Sequence, residues 1–334
     1  MRIRLATFIA ILLLLLGVLT SAWAQGSGVI EGQVFDGSSD GAPLGGLPVT
    51  LWAFAGQEQE SSFETTTDED GRFRFEGLDT EGYAYQFEVE YVGVQYGSEV
   101  VAFPEGENLI SIPFTVYEST TSDEDLSVER SHLIFDFEPG IVRVQEVQIF
   151  FNGGNKTYVG ATGEEGGETL QFLLPQGASA VQLTEGFMEC CVVETDRGFA
   201  STRPIFPGAK QFVITYEFRY QTTTYDLSRE IAYPIRSLDV LVADVGVEVV
   251  APELARSESL SLQGGDYLHL TAQDLTRGDD VVLHFASLPL GAAPTDTTAT
   301  VTLVLTWAIL GIATLATFGA LAYPFLKKRP EEKG

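Results

Sequence analysis

The sequence predicts an all-β fold, with two tandem antiparallel β-sandwich domains followed by one C-terminal transmembrane helix. Apolar and polar residues alternate strictly over stretches such as YAYQFEVEY (83–91) and QFVITYEFRY (211–220), which is typical of half-buried strands. Clusters of glycine, proline, asparagine and aspartate separate these stretches at sandwich-like intervals. Long hydrophobic runs occur at the two ends of the 334-residue chain, and the sequence between them has no helical period.

The first hydrophobic run predicts a secretory signal peptide at residues 1–24. Two arginines precede an apolar stretch, and Ala22-Trp23-Ala24 offers a small-residue cleavage site before Gln25. No cysteine lies near this site, so a lipoprotein signal is not expected. The body of the protein is therefore expected to be exported.

The second hydrophobic run, residues 299–326, carries no charge and exceeds the roughly 20 residues that span a bilayer. Three basic residues at 327–329 follow at once, which places the tail, 327–334, in the cytoplasm. We expect a single-pass, type I protein of the plasma membrane, with its domains on the extracytoplasmic side.

A polar, acidic stretch divides the exported body. ESTTSDEDLS (118–127) has no apolar pattern and predicts a linker. It leaves a first domain at 27–117 and a second domain at 128–288, and residues 289–298 read as a short stalk.

The formal net charge of the chain is −28 at neutral pH. Basic residues at the two ends make the exported body more acidic still. Such a surface repels nucleic acid and anionic lipid headgroups. Nucleic acid is therefore excluded as a partner.

The stretch TTTDEDGRFRFEGL (65–78) raises the question of a metal site. An EF-hand loop needs glycine at its sixth position, whereas Gly71 is fourth when counted from Asp68. Asp-Glu-Asp-Gly between alternating segments instead predicts a tight turn, after which Phe73 and Phe75 enter the core. We expect no metal site here.

Three motifs follow one another in the first domain: GVIEGQVFD (28–36), PLGGLPVTLW (43–52) and TTDEDGRFRFEGL (66–78). Together they resemble the carboxypeptidase regulatory-like domain, which is akin to transthyretin-like and Cna B-type modules. The resemblance implies a seven-strand β-sandwich that accompanies enzymes, adhesins and receptors without doing chemistry itself. The whole chain also resembles bacterial membrane-anchored proteins that carry such a domain.

Two departures from related families bear on activity. Residues 27–117 contain no lysine, so the Lys–Asn isopeptide bond of many Cna B-type modules cannot form within them. Zinc carboxypeptidases need a His-x-x-Glu pair, and none of His132, His269 and His284 has a glutamate three residues on. No nucleophile elbow, phosphate-binding loop or dinucleotide fingerprint occurs either. We therefore expect no enzyme, no catalytic residue and no cofactor, and read the histidines as surface or hydrogen-bonded strand residues.

Cys190 and Cys191 are the two cysteines of the chain. Neighbouring side chains on a strand point to opposite faces, so a bridge between them requires departure from strand geometry. A vicinal disulfide, two unpaired thiols with one buried, and a redox or metal site all remain open, with the structural interpretations favoured.

Aromatic residues of the first domain suggest carbohydrate binding, because sugars stack on exposed rings. Tyr83 and Tyr85 share a face with Phe87 and are predicted to be core residues. Trp52 and Phe54 lie opposite the apolar face of their strand and are the candidates for ligand stacking. The alternative is an edge-strand tryptophan packed under a loop.

These observations favour a non-enzymatic cell-surface protein that binds a protein partner, acts as a scaffold or assists envelope assembly. The first alternative is a carbohydrate-binding module that uses Trp52 and Phe54. The second is an accessory factor of an extracytoplasmic redox or cytochrome-maturation system, which would require reactive Cys190 and Cys191.

Overall fold

The computed structural model describes residues 27–163, 166–262 and 265–290. The predicted signal peptide (1–24), most of the predicted stalk (289–298), the predicted transmembrane helix (299–326) and the tail (327–334) lie outside these ranges. Within them, no helical segment has the length and apolar character that a membrane crossing requires.

The regular structure of the described residues is almost entirely β-strand, which confirms the all-β prediction. The helical element among them is one 3-10 turn, Glu189–Cys191. The chain divides into two compact units. The first unit comprises residues up to Ser119 together with Asn155–Thr157, and the second comprises Thr120–Gly154 and the residues from Tyr158 onward.

Eight strands belong to the first unit, and they form two sheets. The strands are β1 (Gly28–Asp36), β2 (Ala42–Pro43), β3 (Pro48–Ala55), β4 (Glu58–Thr66), β5 (Arg72–Leu78), β6 (Ala84–Tyr91), β7 (Val94–Gly97) and β8 (Leu109–Val116). One sheet has the order β2-β1-β5, with β8 parallel to β1, and the other has the order β4-β3-β6-β7.

Apolar side chains join the two sheets of the first unit into a β-sandwich. Phe87 of β6 lies with its ring centroid 5.0 Å from that of Phe73 on β5 and 4.8 Å from that of Phe114 on β8. Phe73 and Phe75 are buried, as the alternation predicted, because β5 turns every second side chain towards the core.

The segment before β5 is a turn stabilised by its own aspartate. Asp68 Oδ1 accepts hydrogen bonds from the backbone N–H groups of Asp70, at 3.0 Å, and Arg72, at 2.7 Å. Gly71 has φ +74°, and a Cβ there would lie 2.6 Å from the carbonyl oxygen of Val34. Glycine is therefore required for both backbone conformation and space, and the predicted turn is confirmed.

Strand β4 forms one edge of its sheet. Every residue from Glu58 to Glu64 is exposed, whichever way its side chain points. Glu58, Glu60 and Glu64 give this edge a negative charge, which is a common protection of exposed strand edges.

Sixteen further strands follow in the chain. They are β9 (Ser119–Thr120), β10 (Leu126–Glu138), β11 (Ile141–Asn152), β12 (Thr157–Tyr158), β13 (Leu170–Leu173), β14 (Ser179–Glu185), β15 (Val192–Thr195), β16 (Gly198–Ser201), β17 (Gly208–Arg219), β18 (Tyr225–Glu230), β19 (Ile235–Ala243), β20 (Glu248–Val250), β21 (Ala255–Arg256), β22 (Leu260–Leu262), β23 (Gly265–Leu275) and β24 (Asp280–Ala286).

The second unit is built on one large sheet of the order β14-β17-β11-β10-β19-β23-β21, with β22 beside β23. Two three-stranded sheets, β13-β16-β15 and β18-β24-β20, lie against it. Phe150 of β11 contacts Phe172 of β13, and Phe135 of β10 contacts Phe285 of β24, with ring centroids 5.5 and 5.3 Å apart. The core of this unit therefore lies between the large sheet and the two small ones.

Two features differ from the sequence-based expectation. The pairs β1–β8 and β10–β19 are parallel, whereas antiparallel sandwiches were predicted. Period-2 alternation indicates a strand but carries no information on the direction of its neighbour. In addition, the predicted linker at 118–127 contains β9 and the start of β10, where Leu126 is buried.

Candidate functional site

The outward face of the β4-β3-β6-β7 sheet carries the two predicted ligand-stacking residues. On β3, Val49, Leu51 and Ala53 are buried, so Trp52 and Phe54 lie on the opposite face. Both are half-buried, and both belong to a strand with a neighbour on each side. We call the outward surface formed by Thr50, Trp52, Phe54, Ser62, Gln86 and Glu88 the Trp52 face.

The indole ring of Trp52 is held in one orientation by its neighbours. Its Nε1–H donates a hydrogen bond to Glu88 Oε2 at 3.1 Å. Ser62 on β4 and Gln86 on β6 are its direct cross-strand neighbours. The amide of Gln86 in turn donates to the carbonyl oxygen of Ser98 at 2.9 Å, which fixes that side chain too.

Other aromatic residues of the first unit divide between the core and the rim. Tyr85 is buried, which raises its pKa to about 12, and its ring stacks on that of Tyr83 with centroids 6.4 Å apart. Tyr83 itself is half-buried and not a core residue, which corrects the sequence-based expectation. Its hydroxyl donates to Glu60 Oε2 at 2.8 Å, and this hydrogen bond raises the pKa of Tyr83.

The Trp52 face offers an aromatic ring beside fixed polar groups. The ring supplies apolar contact, while the Ser62 hydroxyl, the Gln86 amide and the Glu88 carboxylate supply hydrogen-bonding atoms. Hydrogen bonds already hold the side chains of Trp52 and Gln86 in place, so less entropy is lost when a ligand binds.

Cys190 and Cys191 are joined to each other by a disulfide bond. They lie in the 3-10 turn, where Cys191 N donates to the carbonyl oxygen of Met188 at 2.9 Å. Cys190 is exposed and Cys191 half-buried. Of the alternatives left open by the sequence, the structure has the vicinal disulfide, and its role remains a prediction.

The three histidines all contact aspartates. His269 Nε2 lies 2.8 Å from Asp239 Oδ1, and His132 Nδ1 lies 3.5 Å from Asp239 Oδ2. His284 Nδ1 lies 2.8 Å from Asp226 Oδ1. The pairing around Asp239 was not predicted, because its members come from β10, β19 and β23, which are distant in sequence. Over the described ranges, no group of three or more His, Cys, Asp or Glu side chains is arranged to hold a metal ion.

His132, one of the two histidines beside Asp239, is expected to make the stability of the protein dependent on pH. Burial lowers the pKa of His132 below its usual value, and Arg130 and His269 act in the same direction, against the carboxylate of Asp239. A histidine with a lowered folded-state pKa contributes stability above pH of about 6.5, and this contribution is lost as the pH falls. We expect the urea midpoint to fall between pH 7.5 and 5.

In the variant His132→Asn, the urea midpoint should decrease less between pH 7.5 and 5 than it does in wild type. His284→Asn is the matched control, because His284 is exposed. An equal pH dependence in wild type and His132→Asn would contradict the assignment.

The second unit also has a surface groove of about 960 Å³. The guanidinium of Arg277 lies over the ring of Tyr233, 5.3 Å from its centroid, and donates to Asp123 at 2.6 Å. On the same rim, Arg197 is paired with Glu230. Both cations are thus engaged by carboxylates, and the groove as a whole is acidic, lined also by Glu168, Glu194 and Asp196.

Residues 29–116 match the family described as "Carboxypeptidase regulatory-like domain". The first unit therefore contains a carboxypeptidase regulatory-like domain, and that resemblance of its motifs is confirmed.

Among solved structures, the chain is similar to a "putative carbohydrate binding protein" from Pseudomonas aeruginosa, with 17% sequence identity. The match covers 28% of this chain and 90% of that one, with a TM-score of 0.20. No curated protein sequence matches the chain.

Proposed function

We propose that the chain is a non-enzymatic binding protein on the extracytoplasmic side of a bacterial plasma membrane, and that its first unit binds carbohydrate through the Trp52 face. In this proposal, residues 299–326 form the single anchoring helix and the C-terminus lies in the cytoplasm. The second unit is proposed to be a second β-sandwich, because small sheets pack on its large sheet through aromatic contacts.

The position of Trp52 carries the proposal. Its ring lies on the outward side of an interior strand, with Glu88 fixing the indole N–H. A tryptophan that serves only the core would turn its ring inward with Val49 and Leu51, which this strand places on its other side. An aromatic residue that is both accessible and oriented is the kind of group on which binding energy concentrates.

Carbohydrate is the ligand class that this chemistry fits. One face of a pyranose ring is lined with C–H groups, and their partial positive charge is attracted to the negative face of an aromatic ring. The hydroxyl groups at the rim of the sugar need hydrogen-bonding partners. Ser62 and Gln86, which lie on either side of the indole ring, provide them. The acidic chain favours a neutral glycan over an anionic one.

A binding role is favoured over catalysis by the way the polar groups beside the ring are used. The Glu88 carboxylate accepts the indole N–H, and the Gln86 amide donates to a backbone carbonyl. Both side chains thus hold the ring and the strand in place, which is a positioning role and not one of proton transfer.

The test is the substitution Trp52→Ala in the full chain, measured against a panel of soluble β-glucan, xylan and starch by affinity electrophoresis. We expect wild type to be retarded by at least one of these polymers, and Trp52→Ala to raise its dissociation constant roughly 30-fold, which corresponds to about 2 kcal/mol. Loss of the ring removes the stacking surface and leaves Glu88 without its donor.

Phe63→Ala is the matched control, because Phe63 is an exposed aromatic residue of the neighbouring strand on the opposite face of the sheet. It should bind as wild type does. Equal retardation of Trp52→Ala and wild type would overturn the Trp52 face as the site. No retardation by any polymer, with specific capture of a protein by wild type alone, would favour the scaffold role instead.

A further inference from the structure

The sulfur of the chain is concentrated in one short segment. The chain has two cysteines and two methionines, and Met1 belongs to the predicted signal peptide. The remaining three sulfur atoms belong to Met188, Cys190 and Cys191. These residues form a single turn, closed by the hydrogen bond from Cys191 N to the carbonyl oxygen of Met188.

This turn is accessible to solvent. Met188 is 49% exposed, Cys190 is exposed and Cys191 is half-buried. Methionine is usually buried, where its flexible side chain fills gaps in a core. An exposed methionine beside a partly exposed disulfide is therefore not explained by packing.

We propose that residues 188–191 form a binding site for a soft monovalent metal ion of the Cu(I) class, and that reduction of the disulfide opens it. The two cysteine thiolates and the Met188 thioether are the ligands. Thiolate and thioether sulfur select Cu(I) over harder ions, which prefer oxygen. The closed disulfide offers no thiolate, so the oxidised turn is the form that does not bind.

The chemistry requires a reductant, which is a dithiol. A dithiol thiolate attacks the exposed sulfur of Cys190, the Cys190–Cys191 bond breaks, and Cys191 leaves as a thiolate. The second dithiol sulfur then displaces Cys190, so the dithiol becomes a disulfide and the two cysteines become thiols. On metal binding each thiol releases its proton to water, and three metal–sulfur bonds form, two to the thiolates and one to the neutral thioether of Met188.

The surroundings of the turn suit a cation held by two thiolates. Such a complex carries one net negative charge. Arg203 Nη1 donates a hydrogen bond to Met188 Sδ at 2.7 Å. This bond uses one of the two lone pairs of the sulfur, which leaves the other for the metal ion, and it places a guanidinium where it offsets that charge. Glu189, in the same turn, raises the local concentration of cations.

The test is anaerobic titration of the reduced full chain with Cu(I), in competition with a chromogenic Cu(I) chelator. We expect reduced wild type to withdraw one Cu(I) per chain from the chelator, and the oxidised chain to withdraw none. Cys190→Ser should abolish binding. Met188→Leu should weaken it by more than the roughly tenfold expected for Arg203→Gln, which acts from outside the ligand shell.

Three results would overturn the proposal. Equal binding by oxidised and reduced chains would place the metal elsewhere, and so would full binding by Cys190→Ser. An unchanged affinity in Met188→Leu would remove the thioether from the site. The comparison of oxidised with reduced wild type needs no variant, so it decides the matter even if a substitution impairs folding. None of these readouts depends on carbohydrate binding.

Discussion

Replacing Arg229 by methionine is expected to lower the free energy of unfolding of the second unit by about 3–5 kcal/mol. Arg229 is buried, and its guanidinium forms two hydrogen bonds with the carboxylate of Glu146, one of them at 2.8 Å and the other to Oε1. Removing the cation leaves a charged or newly protonated carboxyl group in the core.

The environment of Glu146 explains why the loss is large. Burial raises the pKa of Glu146, although Arg229, Gln148 and Tyr216 all favour its ionised form. Gln148 and Tyr216 donate hydrogen bonds to the same carboxylate. Without Arg229 no cation remains to balance the carboxylate, and these neutral donors must stabilise a charge that is buried in the core.

The double variant Glu146→Leu/Arg229→Met tests the cause of this destabilisation. It distinguishes the cost of leaving the Glu146 carboxyl group unpaired from the cost of losing the contacts of the Arg229 side chain. Because Arg229 Nε has no hydrogen-bond acceptor among the described residues, the pair is not fully satisfied. Buried ion pairs of this kind can be replaced by apolar residues at little cost. We expect the double variant to be more stable than Arg229→Met in urea denaturation followed by far-ultraviolet circular dichroism. A double variant less stable than the single one would contradict this account.

Replacing Phe87 by alanine is expected to destabilise the first unit by about 3–5 kcal/mol. The ring is fully buried and contacts Phe73 and Phe114, which belong to the opposite sheet. Its removal leaves a cavity where the two sheets meet, and the contacts across that gap are lost.

Phe63→Ala is the control for this second substitution, since the same chemical change is made at an exposed ring of the same sheet. Its effect should stay within about 0.5 kcal/mol. Trp52 lies in the first unit, whereas Trp23 and Trp307, the other two tryptophans of the chain, lie outside the described residues. The fluorescence change during urea denaturation that is lost in Trp52→Phe therefore reports on the first unit. Similar midpoints for Phe87→Ala and Phe63→Ala would show that this core tolerates a cavity.

Alternation along single strands predicted most inward and outward faces of the first unit, although it wrongly made Tyr83 a core residue. It placed Phe73 and Phe75 inside and Trp52 and Phe54 on the opposite side of their strand, and the local pattern Asp-Glu-Asp-Gly predicted the turn that begins at Asp68. These features depend on residues within a few positions of each other. Local backbone geometry decides them before any strand has found its neighbour.

The buried pair Glu146–Arg229 and the contacts around Asp239 were not predicted, because they depend on which strands become neighbours. Glu146 and Arg229 are 83 residues apart. A signal existed nonetheless: Glu146 and Gln148 occupy the same alternating positions as the buried Val144 and Phe150. A polar residue in the apolar register of a strand indicates a buried partner, but not its identity.

Met188 was missed for a different reason. The sequence-based prediction considered Cys190 and Cys191 without their neighbours. The chain has two methionines, and Met188 lies two residues before Cys190, so this clustering of sulfur was visible in the sequence. The sequence predicted Trp52 and Phe54 as the ligand-stacking candidates, but not the polar residues beside them. Ser62 and Glu88 lie near Trp52 because β3 pairs with β4 and β6, and strand pairing could not be predicted from the sequence.

The negative charge of β4 affects how closely two copies of the protein can approach each other along this edge. Two copies that met along this edge would bring Glu58, Glu60 and Glu64 of each chain within a few ångströms of their counterparts, and like charges at that distance repel. The strand therefore discourages the chain from joining its sheet to that of a neighbour. At high density, the negative charge of this one strand therefore helps to keep neighbouring copies of the protein apart.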